Sequence, residues 1–161
     1  MYSAFLLIHS LLRWIVILAG LVAVARAIGG VAGRKPWSPV DASSGRWFSI
    51  ALDVQFLIGL ALYLVLSPFI RDAWADMAAT MRNAPLRFFA VEHAFGMIIA
   101  IALVHVGRAK IGRASDPARK HKLAAIFFGI AIVVMLLSIP WPGTPGGRPL
   151  LRGFGDSSAG V

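Results

Sequence analysis

The chain reads as an all-α integral membrane protein, a four-helix bundle, and three observations predict it. Apolar residues fill 58% of the 161 positions and charged residues only 14%, with a mean hydropathy of +0.78, a balance far too apolar for a soluble domain of this size. Four apolar stretches, residues 4–25, 48–66, 88–107 and 123–139, each span or nearly span a ~30 Å hydrocarbon core at ~1.5 Å per residue. Most of the basic residues flank these stretches. One transmembrane domain is expected over 1–142, followed by a flexible tail over 143–161 that is rich in Gly, Pro and Ser.

The elements follow in order. The first stretch holds His9 and Arg13, and near its end Ala25-Arg26-Ala27 resembles a signal-peptidase site. Residues 1–12 are themselves apolar and lack the positive start of a secretion signal, so the stretch is expected to stay as a span. Residues 29–46, about 18 in number and punctuated by Pro36-Trp37-Ser38-Pro39, read as an interfacial loop with Trp37 and Trp47 at headgroup level. The second span carries Asp53 and Gln55. Beyond Ser67-Pro68, the residues Phe69, Ile70, Ala73, Trp74, Met77 and Met81 recur at helical spacing, which predicts a short amphipathic helix lying on the surface between helices two and three. The third span holds Glu92, His93, Gly96 and His105; the fourth ends at Pro140-Trp141-Pro142.

Charge placement sets the expected orientation. Arg26, Arg34, Lys35, Arg46, Arg108, Lys110, Arg113, Arg119, Lys120 and Lys122 border connections one and three, whereas Arg71, Arg82, Arg87, Arg148 and Arg152 lie on the opposite side. The positive-inside rule therefore puts both termini outside, N-out and C-out. The net charge of +9 does not indicate nucleic acid, because no stacking aromatics interleave with the basic residues; membrane lipid headgroups are their expected neighbours. The chain has no cysteine, which excludes disulfides, iron–sulfur clusters, thiolate zinc and covalently attached haem.

The candidate site is His9, Arg13, Glu92 and His93, polar side chains set in lipid-length apolar runs. A charged group near the bilayer centre costs about 2.5–3.5 kcal/mol on insertion scales, so it is kept where it faces a partner inside a bundle. Counted from the span ends, His9 lies ~7 Å below the outer surface, with Arg13 one turn deeper on the same face, and Glu92 and His93 lie ~7–9 Å below that same surface. Two level imidazoles on two helices are what a bis-histidine b-type haem requires, with His9 and His93 as the metal ligands. Gly96, three residues past His93, would let a porphyrin edge or another helix come close. Arg13 would neutralise a propionate or pair with Glu92, and Glu92 would orient an imidazole. The same residues would also build an interhelical hydrogen-bond cluster without cofactor, or a quinone-head or proton-relay site.

His105 lies twelve residues past His93, roughly 120° around the helix, which does not suit a second stacked haem. His121 stands in the run Arg119-Lys120-His121-Lys122 and is expected to be solvated at the interface. Asp53 is expected to be neutral, or paired with a snorkelling Arg or Lys, with Gln55 continuing a polar path or joining helices.

The order His9-Ser10 with Arg13-Trp14, Gln55 to Gly59 with Tyr63, Arg87-Phe88-Phe89, Val91-Glu92-His93, the Lys-His-Lys run and Ile139-Pro140-Trp141-Pro142 resembles short bacterial four-helix inner-membrane proteins labelled cytochrome b-like. The resemblance covers residues 1–142. It implies a multi-pass protein of the bacterial inner (cytoplasmic) membrane with an electron-transfer role, haem b as cofactor, and His9 and His93 as axial ligands. Some members of that family carry a histidine where this chain has Asp53, which argues against a second haem. The expectation is one haem in the outer half, electrons passing between a quinol and a dehydrogenase or oxidase subunit. The alternative is a non-catalytic accessory subunit of a larger respiratory or photosynthetic complex.

Overall fold

The computed structural model describes residues 1–144 and 146–150. It is all-α, with four long apolar helices able to span a membrane, Tyr2–Ala32, Pro39–Leu66, Ala84–Arg113 and Pro117–Leu137. The first is α1 (Tyr2–Ala32). The second is α2 (Pro39–Ala61), which widens into a π-helical turn at Leu62–Leu66. Short helices α3 (Pro68–Ala75), α4 (Met77–Arg82) and α5 (Ala84–Arg87) follow, then a π-helical segment Phe88–His93 that leads into α6 (Ala94–Arg113), and finally α7 (Pro117–Leu137).

The first connection is much shorter than the 18-residue loop expected. Helix α1 runs on to Ala32 and α2 begins at Pro39, because Ser38 and Asp41 form a reciprocal cap with proline in the first turn. Asp41, only 7% exposed, also takes Arg26 of α1 in an ion pair at 2.8 Å, so the turn is stapled to the helix before it. Trp37 packs inward against the core, while Trp47 is exposed as expected.

The second connection is three short helices in place of one, and each break has a capping side chain. Ser67 accepts from the Ile70 N–H, Asp76 from the Ala79 N–H and Asn83 from the Leu86 N–H. Ile70 and Ala73 turn into a small cluster with Ala90, while Trp74 and Met81 face outward, as an amphipathic surface requires.

Around the bundle, α1 packs closely on α2 and α7, and α6 on α7, whereas α2 and α6 touch only sparsely. The close crossings are made by small residues. Gly20 of α1 admits Phe48 and Ile132, and Gly45 of α2 lies against the Phe128 ring, which meets Phe48 edge-on at 5.7 Å between ring centres. Without a hydrophobic driving force between helices in lipid, such close approach and dispersion contact hold the bundle. Leu18, Leu57, Leu64, Phe95 and Leu137 point outward, an apolar belt suited to lipid.

Residues 146–150, which fall in the stretch expected as a flexible tail, fold back over the end of the bundle that carries Met1. The Arg148 N–H donates to Pro140 O at 3.1 Å, and Leu150 O accepts from Arg13 and Trp14 at 2.7 and 3.3 Å. The remainder of that tail, 151–161, lies outside the described residues, as does Pro145.

Candidate functional site: two facing imidazoles at one end of the bundle

Helix α1 supplies His9 and α2 supplies its seat. The Gln55 side chain donates to His9 O at 3.0 Å, and one turn further Gly59 lies so close to the ring that a Cβ there would stand 3.0 Å from His9 Cε1. His9 Nδ1 is buried without a hydrogen-bond partner.

His93 closes the π-helical segment before α6. Its Nδ1 donates to Ser138 O, at the C-terminus of α7, at 2.7 Å; with the proton on Nδ1, Nε2 carries the lone pair. Gly96 faces the same residue, and a Cβ there would collide with Ser138 Oγ. Gly96 thus serves helix approach, one of its two expected uses, and places the carbonyl that orients His93. Tyr63, on the wide turn of α2, donates to Ala90 O at 2.6 Å and ties the two π-helical segments together. Wide turns of this kind recur at functional sites because they re-aim side chains.

The two imidazoles face each other with ring centres 6.3 Å apart and planes at 75°. A metal bound by one nitrogen of each ring, at ~2 Å from each nitrogen, would place the ring centres roughly 6 Å apart. Both rings line a cavity of about 320 Å³, near the small end of ligand sites. Leu60, Leu64 and Ile98 line it while also being exposed on the outside of the bundle, so it opens sideways between α2 and α6. No group of three or more His, Cys, Asp or Glu side chains able to hold a bare ion occurs among the described residues. The imidazole pair offers two nitrogen donors, and His9 Nδ1 has no hydrogen-bond partner.

Arg13 lines the same cavity, with its guanidinium 5.1 Å from the Trp14 ring centre and bonded to Leu150 O. Glu92 does not join it. Its carboxylate pairs with Arg87 at 2.7 Å and lines a separate groove of about 480 Å³ on the outside, so the expected Arg13–Glu92 partnership is replaced by Arg87–Glu92. Glu92 and His93 are successive residues of the π-helical segment and point to different sides of it, Glu92 to Arg87 and His93 to Ser138 O.

Two further expectations change. Asp53 is paired, but with His105 across α2 and α6 at 2.7 Å, and both side chains remain substantially exposed, at 37% and 51%. His121 is not solvated: it is 1% exposed, lies on Gly30 with Trp37 4.8 Å away, and neither ring nitrogen has a partner. Sequence reasoning missed Ser138, Arg148 and the contact role of Gly59. Only Gly59 had a legible signal, four residues beyond Gln55 and so on the same helix face.

Comparison with known protein families, with curated proteins and with solved structures finds no match.

Proposed function

We propose that this multi-spanning helical protein is a b-type cytochrome-like electron carrier holding one haem between His9 and His93. The observation that carries the reading is the 6.3 Å separation of two imidazoles on different helices, one of them already fixed through Nδ1 by Ser138 O. When bound, the haem would supply a one-electron Fe(III)/Fe(II) couple. The chain's own residues do the positioning. Ser138 fixes the His93 ring, Gln55 and Gly59 seat His9, and the rings of Phe88 and Phe89, 6.1 and 6.2 Å from His93, keep water from it. In the N-out, C-out orientation favoured by the basic residues, the site falls in the outer half of a bacterial inner membrane, where a lipid-soluble quinol is within reach and a redox subunit would take the electron.

The test is optical. Protein purified from haem-supplied cells should show low-spin Soret and alpha bands on reduction, lost in His9→Ala and His93→Ala and retained in His105→Ala. A stable, colourless preparation would refute the reading.

The half-exposed Asp53–His105 pair favours a second one. Two titratable groups left open toward lipid call for cover, which an accessory subunit of a larger respiratory or photosynthetic complex would find in its neighbour. Under that reading the leucine double variant D53L/H105L loses co-purifying partners and no spectrum changes.

A further inference from the structure

The groove that Glu92 lines has a chemistry of its own. Arg87 and Glu92 give it one charge of each sign, and its other walls are mostly apolar, with Phe88 from the π-helical segment, Leu136 and Leu137 from the end of α7, and Trp141 beyond it. The ion pair is half-exposed, at 38% and 49%. Arg87 donates through Nε to Glu92 Oε1 at 2.7 Å and through Nη1 to Met81 O at 3.2 Å, so Nη2 and the second carboxylate oxygen make none of the described bonds. Both face the groove's side of the pair with hydrogen-bonding capacity to spare. The far wall is fixed in advance, because Trp141 Nε1 donates to Leu136 O at 2.7 Å and Thr144 Oγ1 donates to Trp141 O at 2.8 Å. A wall ordered before binding costs a ligand less.

Depth decides what comes near. Arg87 immediately precedes the apolar run 88–107 and Trp141 follows the last span, so the groove lies where hydrocarbon gives way to headgroups. Away from it Leu137, Val133, Ile130 and Ile126, all exposed, descend one face of α7 over about 16 Å, a track for an acyl chain. A purely anionic headgroup would meet Arg87 but be repelled by Glu92, and a purely cationic one would suffer the reverse. Only a headgroup carrying both charges satisfies both residues. We propose that this groove binds one phospholipid with a zwitterionic ethanolamine headgroup, its phosphate on Arg87, its ammonium on Glu92 and a chain along α7. The guanidinium and carboxylate are one hydrogen bond apart, which suits the phosphate and ammonium of a single headgroup laid against the pair with opposite sense. A primary ammonium donates to a carboxylate; a trimethylated choline has no N–H to give. The inference is independent of the imidazole cavity and of haem.

The test is native mass spectrometry of the full chain, stripped of lipid in detergent and titrated with phosphatidylethanolamine, phosphatidylcholine and phosphatidylglycerol of identical acyl chains. The first ethanolamine lipid should bind about fivefold more tightly than either of the others, the upper end for a half-exposed ion pair. Glu92→Gln should bring the three lipids level, and Arg87→Gln should weaken the first binding event of all three; unchanged circular dichroism separates both effects from misfolding. The comparison of headgroups on the unaltered protein stands even if a variant fails to fold. Equal affinities, or tighter binding of the glycerol lipid, overturn the proposal and leave only unselective lipid around the bundle. An ethanolamine preference that survives both substitutions overturns it too, since the preference then arises elsewhere. Glycerophosphoethanolamine, which has the headgroup without the chains, should not displace the bound lipid; displacement at equal concentration would make the ligand a soluble zwitterion and refute the assignment to a membrane lipid.

Discussion

Gly96→Ala is the sharpest probe of how the site is held. A Cβ there would stand 2.9 Å from Ser138 Cβ and nearer still to Ser138 Oγ. The hydroxyl can rotate away by giving up its 2.8 Å bond to Val134 O, at about 1 kcal/mol. Ser138 Cβ cannot rotate away, so α6 and α7 must separate there, an overpacking that costs about 1–3 kcal/mol. The sum is about 2–4 kcal/mol, which for a chain of this length lowers the melting midpoint by about 5–15 °C. The same separation draws Ser138 O from His93 Nδ1, now 2.7 Å apart. Thermal melts in detergent measure the first effect and the width of the reduced alpha band the second. Ser138→Gly, at a C-cap where glycine is well tolerated, should cost little alone and restore most of the loss in the double variant, a coupling of opposite sign to the single effect. A G96A protein that melts with the parent, or a double variant that merely adds the two losses, would refute the argument.

Two other substitutions probe the remaining polar groups. His121→Leu should stabilise the protein by about 1–2 kcal/mol, since it removes two buried nitrogens that have no partner; a lowered midpoint in chemical denaturation would mean that the imidazole has a use. Tyr63→Phe should cost about 1 kcal/mol and speed amide exchange across 88–93, where the hydroxyl now holds Ala90 O at 2.6 Å; unchanged exchange would show the wide turn to be self-supporting.

The spans were legible because lipid imposes one rule, length of apolar run, that needs no knowledge of neighbours. The meeting of His9 and His93 followed from depth alone: both were counted from the ends of their helices. Rotation about the axis was harder. Glu92 sits next to His93 yet faces Arg87, inside a π-helical segment that no periodicity in the sequence announces. His121 lies in a run of charges that reads as solvated, yet Gly30 on a distant helix leaves a hollow that the ring fills. Arg148 was hidden by composition, since a Gly- and Pro-rich segment gives no hint that Pro140 O and two aromatic rings will hold it. The capping box at Ser38 and Asp41 was visible in principle, but the prolines around it drew the stretch into a loop.

The sparse contact between α2 and α6 has a consequence for traffic. Three flanks of the bundle are zipped by interlocked crossings, so breathing concentrates on the fourth, where the Asp53–His105 bond and the Tyr63 bond to Ala90 O are polar clasps. Whatever occupies the chamber would arrive and depart through the hydrocarbon phase, and its occupancy would follow how strongly it partitions into lipid instead of how much is dissolved in the surrounding water.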